Sequence, residues 1–345
     1  ATLRHIRRTW HLRIQSEAAS GQVEMNEPSR GMHPSLKVRL TRLHLPEAVA
    51  DDLNMQDIQR TSSSQLPNLD VVIDDFRYAQ KVFGKIELQA VSGHTPDQRE
   101  SWTISSLAIR NPSGTLTGSG QWTASSPKTS SPGMTNVKLS ANLQSLGGVL
   151  HNLGIRDVVR DAPGTLSAEL SWSGLPQRFN LASLNGKISA RLRSGQLIQV
   201  EPGAGRLLSL LSLQHLLRRL TLDFRDVAGK GFTFDTIAAD AQFVNGILHT
   251  DKTTLIGSAG TVLIGGDTDF VNEVLDLKAI VLAVANPAIG LGTLVAQWLL
   301  KDHIAEMLSM EYEIRGSFDN PHIEHIGLSD GEQQHQDTHT QRQAP

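Results

Sequence analysis

The strongest constraint on the fold is a two-residue alternation of apolar and polar side chains. In GKIELQA, residues 84–90, the apolar residues Ile86, Leu88 and Ala90 are each separated by a polar residue. The same alternation recurs in NVKLSANL, TLSAELSW and GKISARLR, at residues 136–143, 165–172 and 186–193. Alternation of this kind is typical of half-buried β-strands, so it predicts a mainly β chain.

Turn-forming residues separate the alternating runs. Such residues predict short connections, and short connections predict antiparallel pairing of the strands. The predicted turns are Asn111–Gly114, Ala162–Gly164, Asn185-Gly186, Ser194-Gly195 and Asn245-Gly246. A Gly-Thr pair follows several turns and is predicted to open a strand, at Gly114, Gly164 and Gly260.

Strands with one apolar face need something to cover that face. Each large aliphatic side chain that stays in water forfeits about 1.5–3 kcal/mol. Helices, a second sheet or a bound ligand could supply the cover. The sequence offers few helices; one short candidate is Ser145–Val159. A sandwich, a closed barrel and an open curved sheet that holds acyl chains all remain compatible with the pattern.

A leucine-rich segment, residues 202–224, is the second helix candidate. Its leucines follow helical spacing, Pro202 suits a first helical turn, and Arg218 and Arg219 suit the C-terminal end. The leucines on this predicted helix are Leu207, Leu210, Leu211 and Leu217. Two roles are open for it: an ordinary cover for the apolar face of the sheet, or a gate over a lipid groove.

A long uncharged run, residues 279–300, raises the question of a membrane. Its length approaches the ~20 residues of a spanning helix, but Asn286-Pro287 interrupts it. We therefore expect a strand that ends near Val284 and a helix that begins near Gly290. The apolar stripe of this helix includes Leu291, Leu294 and Trp298. The helix could span a bilayer, cover the sheet, or lie at a membrane interface with Trp298 near the head groups.

Composition and motifs argue against several classes of function. The net charge is −3, from 32 basic and 35 acidic residues, so no overall positive field favours nucleic acid. Cysteine is absent, which excludes disulfides and thiolate metal sites. No nucleophile elbow, phosphate-binding loop or zinc-binding helix motif occurs. The sequence therefore predicts neither an enzyme nor a cofactor or metal site.

The two ends of the chain suggest a piece of a longer protein. It opens ATLRHIRRTWHLRI, without an initiator methionine or a signal peptide. The last residues, 327–345, are polar and lack aromatic side chains, so we expect a disordered tail.

The segment VEPGAGRLLSLLSLQHLLRRLTLDFRDVAGK, residues 200–230, resembles the C-terminal region of the YhdP-type, AsmA-like envelope proteins of Gram-negative bacteria. Further similar segments are LDVVIDDFRY (69–78), NPSGTLTGSGQW (111–122) and EYEIRGSFDNPHIE (311–324). The likeness extends in order over residues 10–326. It implies a long curved antiparallel sheet that forms an open hydrophobic groove, with a few short helices near the C-terminal end.

The resemblance also implies a function, a location and a division of the chain. Proteins of this family are periplasmic bridges thought to carry phospholipid between the inner and outer membranes, and they support outer-membrane integrity. Residues 1–199 would form groove strands, residues 200–326 the AsmA-like C-terminal region, and residues 327–345 the tail. The partners would be phospholipid and the two membranes, the inner one through an N-terminal anchor that this chain lacks, with an envelope protein as a further possibility.

On this interpretation the apolar face lines a path for lipid. The predicted lining residues are Ile86, Leu88, Val137, Leu139, Leu166, Leu170, Ile188 and Leu192. An alternative is a structural or chaperone-like β scaffold that uses the same face for envelope polypeptides.

Overall fold

The computed structural model describes residues 1–28, 33–46, 66–126, 132–198, 232–257, 260–282 and 309–326. Within these ranges 18 β-strands form one sheet, which confirms the mainly β class. The leucine-rich segment, the predicted helix near Gly290 and the tail lie outside the described residues, and so do the residues assigned to the gate and the membrane interface. The division of the chain near residue 199 stays a prediction.

Most of the strands are long, and several begin or end at the turns predicted from the sequence. In chain order they are β1 (Thr2–Ile6), β2 (Thr9–Gln15), β3 (Ala19–Asn26), β4 (Ser35–Leu45), β5 (Asn68–Tyr78), β6 (Lys81–His94), β7 (Glu100–Asn111), β8 (Gly114–Thr123), β9 (Met134–Leu143), β10 (Val159–Asp161), β11 (Gly164–Ser173), β12 (Asn185–Leu197), β13 (Phe232–Val244), β14 (Ile247–Gly257), β15 (Gly260–Asp269), β16 (Val274–Leu282), β17 (Ser309–Ser317) and β18 (Asn320–His325). One α-helix, α1 (Leu146–Asn152), and a short 3₁₀-helix, Leu181–Ser183, complete the described elements.

Neighbours in the chain are almost always neighbours in the sheet. The strands pair in order from β1 to β9, then β9 pairs with β11, and the order continues from β11 to β18. The short strand β10 pairs with β12 beyond the end of β11. Every pair is antiparallel except β4–β5, which is parallel.

The parallel pair corrects the expectation of a purely antiparallel sheet. Strands that run in the same direction need a connection that returns to the starting end of the sheet, and a short turn cannot do this. Residues 47–65, which connect β4 to β5, lie outside the described residues. The alternation of side chains shows which residues form strands, but it carries no sign of strand direction.

Most predicted turns are confirmed, and two are wrong. The Gly-Thr pairs open β8, β11 and β15, and Asn245-Gly246 joins β13 to β14. Asn185-Gly186 instead begins β12, and Ser194-Gly195 lies inside it. Ser194 has a φ of 45°, yet the pairing of β12 with β13 keeps one register on both sides of it. Partner strands on both flanks therefore keep β12 paired through this residue pair, although Ser194 itself has a left-handed backbone.

The helix predicted over Ser145–Val159 is shorter than expected. It ends at Asn152, and Val159 already belongs to β10. The Ser145 side chain caps the helix by accepting a hydrogen bond from the Gly148 N–H at 3.0 Å. Gly154, with a φ of 85°, follows the last turn and suits the reversal of the chain.

Candidate functional site

The candidate site is one face of the sheet, which carries aligned rows of apolar side chains. Residues that are direct partners on neighbouring strands point to the same face, so the pairing register shows which side chains lie side by side. One row crosses eleven adjacent strands without a polar member. Its residues, from β2 to β13, are Leu12, Val23, Val38, Val71, Leu88, Leu107, Gly118, Leu139, Ala168, Ile188 and Ala241.

This row, which we call the central row, is long enough to hold an extended apolar molecule. Ten spacings of about 4.8 Å between neighbouring strands give a length of about 50 Å. Two further rows flank it on the same face. One contains Ile86, Ile109, Leu116, Ala141, Leu166 and Ala190, and the other contains Ala90, Ile104, Gly120, Val137 and Leu170.

The predicted lining residues fall on these three rows, with one exception. Leu88, Leu139 and Ile188 lie on the central row, and the flanking rows hold Ile86, Val137, Leu166 and Leu170. Leu192 lies one row further out, opposite Gly164, and is only 6% exposed. The structure therefore brings together seven of the eight residues; that they line a lipid path stays a prediction.

Between β8 and β12 the apolar face is covered at both ends of the strands and left partly open in the middle. At one end Leu146 and Val149 of α1 pack on a cluster of buried residues that includes Leu143 and Leu192. At the other end Trp102 and Trp122 form a second cluster. Leu139, on the central row between these ends, is half-buried.

A line of tryptophans marks the second of these covered ends. Trp102 is the direct partner of Trp122, and Thr135 lies between Trp122 and Trp172 on the neighbouring strands. The Trp102 ring N–H donates to the Pro67 carbonyl oxygen at 2.8 Å. All three indole rings are buried, so they form a packed margin beside the open rows.

Sequence reasoning missed the small residues on β8. Gly118 and Gly120 occupy positions at which alternation would place large apolar side chains. A Cβ on Gly118 would come within 2.6 Å of Leu139 Cδ2, and one on Gly120 within 2.9 Å of Val137 Cγ1. The side chains of β9 therefore lie over the glycines of β8. The Gly-Ser-Gly spacing in TLTGSGQW was the available signal, since both glycines keep the two-residue period.

The opposite face of the sheet is polar and rich in ion pairs. Lys138 contacts Glu169 at 2.9 Å, and Arg191 contacts Asp240 at 2.6 Å. His249 lies between two carboxylates, with Nδ1 at 2.5 Å from Asp267. The hydrogen bond with Asp267 is the main cause that raises the pKa of His249.

A depression of about 570 Å³ is lined mainly by residues of this polar face, among them Lys138, Glu169, Lys187, Asp240 and His249. It also touches Leu139, Ala168, Ile188 and Ala241 of the central row. An apolar chain placed there would strip water from charged groups, which is costly. The chemistry of the apolar face suits an apolar ligand better, so we take the three rows as the candidate site. In the ranges that the structure describes, no cluster of side chains could hold a metal ion.

The comparisons with known proteins agree with the resemblance noted in the sequence. The family described as YhdP protein matches residues 1–323. The chain belongs to the YhdP family. Over 260 residues, 71% of the chain, it is 29% identical to the intermembrane phospholipid transporter YhdP of Escherichia coli (strain K12).

That relative is much longer than this chain, because the match covers only 20% of its length. No solved structure matches the chain. Among the described helices, none has the length and apolar character needed to cross a bilayer.

Proposed function

We propose that the apolar face binds the acyl chains of phospholipids, as one section of a bridge between the inner and outer membranes of a Gram-negative bacterium. The observation that carries the proposal is the central row, an unbroken line of apolar residues across eleven strands. The name of the Escherichia coli relative, an intermembrane phospholipid transporter, supports phospholipid as the ligand. On this proposal the chain acts in the periplasm, supports outer-membrane integrity and catalyses no covalent chemistry.

The energetics suit a ligand that binds and leaves. Each fully buried methylene contributes about 0.8 kcal/mol, so ten methylenes laid on an open face contribute at most about 8 kcal/mol. Association costs about 4–15 kcal/mol before any net affinity remains. A single chain on an open face is thus held with moderate net affinity, which suits a ligand that binds and can also be released.

The geometry of the rows defines the path that a bound lipid would follow along the sheet. They run perpendicular to the strands, and each step from one strand to the next offers a similar apolar surface about 4.8 Å further on. A lipid that moves along the rows exchanges one set of aliphatic contacts for an equivalent set. No large barrier is expected between neighbouring positions, except where bulky side chains narrow the path.

A photocrosslinking residue at Leu139 tests the proposal in cells. Leu139 is half-buried on the central row, whereas the next residue, Ser140, is exposed on the polar face and serves as the matched control. We expect phospholipid adducts at Leu139 and none at Ser140. Equal labelling of the two positions would contradict the assignment of the apolar face.

The same experiment separates lipid binding from the scaffold alternative. If the apolar face served polypeptides of the envelope, the Leu139 position would give adducts with other proteins and no lipid. If the face were a dry core, the adducts would join two parts of this chain.

A further inference from the structure

A second apolar surface lies at the tips of two adjacent hairpins, away from the three rows. It consists of Val244 and Ile247 beside the β13–β14 turn, and Val271 and Val274 at the β15–β16 turn. Their exposed fractions are 48%, 38%, 45% and 42%. We call these four residues the hairpin-tip patch.

Three of the four side chains lie on one row of the sheet, and the fourth lies over the turn beside them. Val244 is the direct partner of Ile247, and Asp269 lies between Ile247 and Val274 on the intervening strand. Val271 reaches over the first hairpin, because a Cβ on Gly246 would come within 2.6 Å of Val271 Cγ2.

Asp269 does not interrupt the patch. Its carboxylate accepts hydrogen bonds from the backbone N–H groups of Val271 and Asn272, both at 2.9 Å, and from the Asn272 side chain at 2.7 Å. These hydrogen bonds, with the Asn272 side chain as the largest cause, lower the pKa of Asp269, so the group stays ionised. The Asp269 carboxylate is thus hydrogen-bonded within its own turn, and the aliphatic side chains beside it stay exposed.

The hairpin-tip patch is apolar, whereas the face of the sheet on which three of its residues lie is polar. Val244, Ile247 and Val274 point to the polar face, where the next row inward is Gln242, His249, Asp267, Asp276 and Arg315. This polar row separates the apolar residues at the tips from those further along the same face, such as Leu263 and Ile280. A contiguous aliphatic surface on an otherwise polar face marks an interaction site more often than isolated apolar residues do.

The charges around the patch indicate what would bind there. Asp269, Glu273 and Asp319 lie on the tips, and residues 244–247, 269–274 and 317–320 contain no lysine or arginine. Arg315, on the row inward, is paired with Asp276 and Glu313. A bilayer with anionic lipids would be repelled by such a rim. A protein surface with aliphatic side chains and basic neighbours complements both the apolar centre and the acidic rim.

We propose that the hairpin-tip patch is a docking site for a protein partner that presents aliphatic side chains flanked by lysine or arginine. The site is separate from the apolar rows, so it stands or falls independently of lipid binding.

The test places a photocrosslinking residue at Val271 of the full chain in cells, with the exposed Ser140 as the control position. We expect a protein adduct at Val271 only, and the crosslinked peptide, sequenced by mass spectrometry, should carry aliphatic and basic residues. The double variant Val244→Thr and Val274→Thr keeps β-branched side chains and should lower the adduct yield at least about fivefold. Asp319→Lys, in an exposed turn, should lower it as well.

Three results would overturn the proposal: lipid adducts at Val271, no adduct at all, or a yield that neither variant changes. Thermal unfolding of each variant shows whether the chain still folds. If the double threonine variant is unfolded, Asp319→Lys alone decides, because Asp319 is exposed and a substitution there is expected to leave the fold intact. Phospholipid content, measured in parallel, reports separately on the apolar rows and should not change.

Discussion

Gly118 shapes the apolar face because it has no side chain and so leaves room for Leu139. Leu139 lies over it, and a Cβ there would also come within 3.0 Å of the Lys138 carbonyl oxygen. We expect Gly118→Ala to displace Leu139 and to lower the free energy of unfolding by about 1–2 kcal/mol, since overpacking typically costs 1–3 kcal/mol. Chemical denaturation measures the change.

Gly93→Ala is the control for that substitution. Gly93 also lies in a strand, but a Cβ there would meet only Ser101 Oγ at 3.9 Å. Its unfolding free energy should stay within about 0.5 kcal/mol of the parent chain. If both alanine variants behave alike, the close approach of Leu139 to β8 is not what constrains Gly118.

His249 makes the stability of the chain depend on pH. Its pKa is raised, chiefly by the hydrogen bond with Asp267 and with a further contribution from Asp251. A raised pKa means that the protonated form is favoured in the folded chain. The stabilisation is therefore complete below the unfolded value of about 6.5 and is lost as the pH rises through the folded value.

We expect His249→Gln to remove this part of the pH dependence. Compared with the variant, the parent chain should lose stability on going from pH 6 to pH 8, as measured by urea unfolding at low salt. The difference should be small even at low salt, because His249 is half exposed and exposed ion pairs contribute little to stability. A parent and a variant with parallel pH profiles would show that the carboxylates do not hold the imidazolium.

At the scale of elements, α1 depends on its N-cap. Ser145 Oγ accepts from the Gly148 N–H and also donates to the Asp161 carbonyl oxygen at 3.0 Å, so one hydroxyl ties the helix to β10. Ser145→Ala should cost about 0.5–2 kcal/mol of unfolding free energy. Ser140→Ala, on the exposed face of β9, is the matched control and should cost little. Equal costs would contradict a capping role.

The strands could be predicted from the sequence, because alternation in each strand depends only on residues close together in the chain. The pairing of neighbours followed for the same reason, since short turns leave few other choices. The parallel β4–β5 pair could not be predicted, because nothing in either strand depends on the direction of its neighbour. The turn predicted at Ser194-Gly195 was wrong for a related reason. The partner strands, which are distant in sequence, decide whether a turn-prone pair lies inside a strand.

At the scale of the whole molecule, the site depends on register. Alternation predicts that Leu88 and Leu139 each face the apolar side, but only the pairing places them on one row with Ile188. The alignment of Trp102, Trp122 and Trp172 could not be predicted, because these residues are far apart in the chain. Neither arrangement has a local signature in the sequence.

The continuous row also predicts how substitutions combine. A charge at one position should hinder lipid along the whole row, because every lipid that passes must cross that strand. Leu139→Asp and Ile188→Asp should therefore each reduce phospholipid carriage strongly, and the double variant should reduce it little further. Independent, additive losses would instead indicate separate binding sites on the two strands.

The most direct test of the central claim is the amount of phospholipid that remains bound to the chain after purification without detergent, measured by native mass spectrometry. The account predicts bound phospholipid on the parent chain and on Ser140→Asp, and a loss of most of it on Leu139→Asp with the fold retained. An absence of phospholipid from the parent chain, or equal amounts on both aspartate variants, would contradict the assignment of the apolar face to acyl chains.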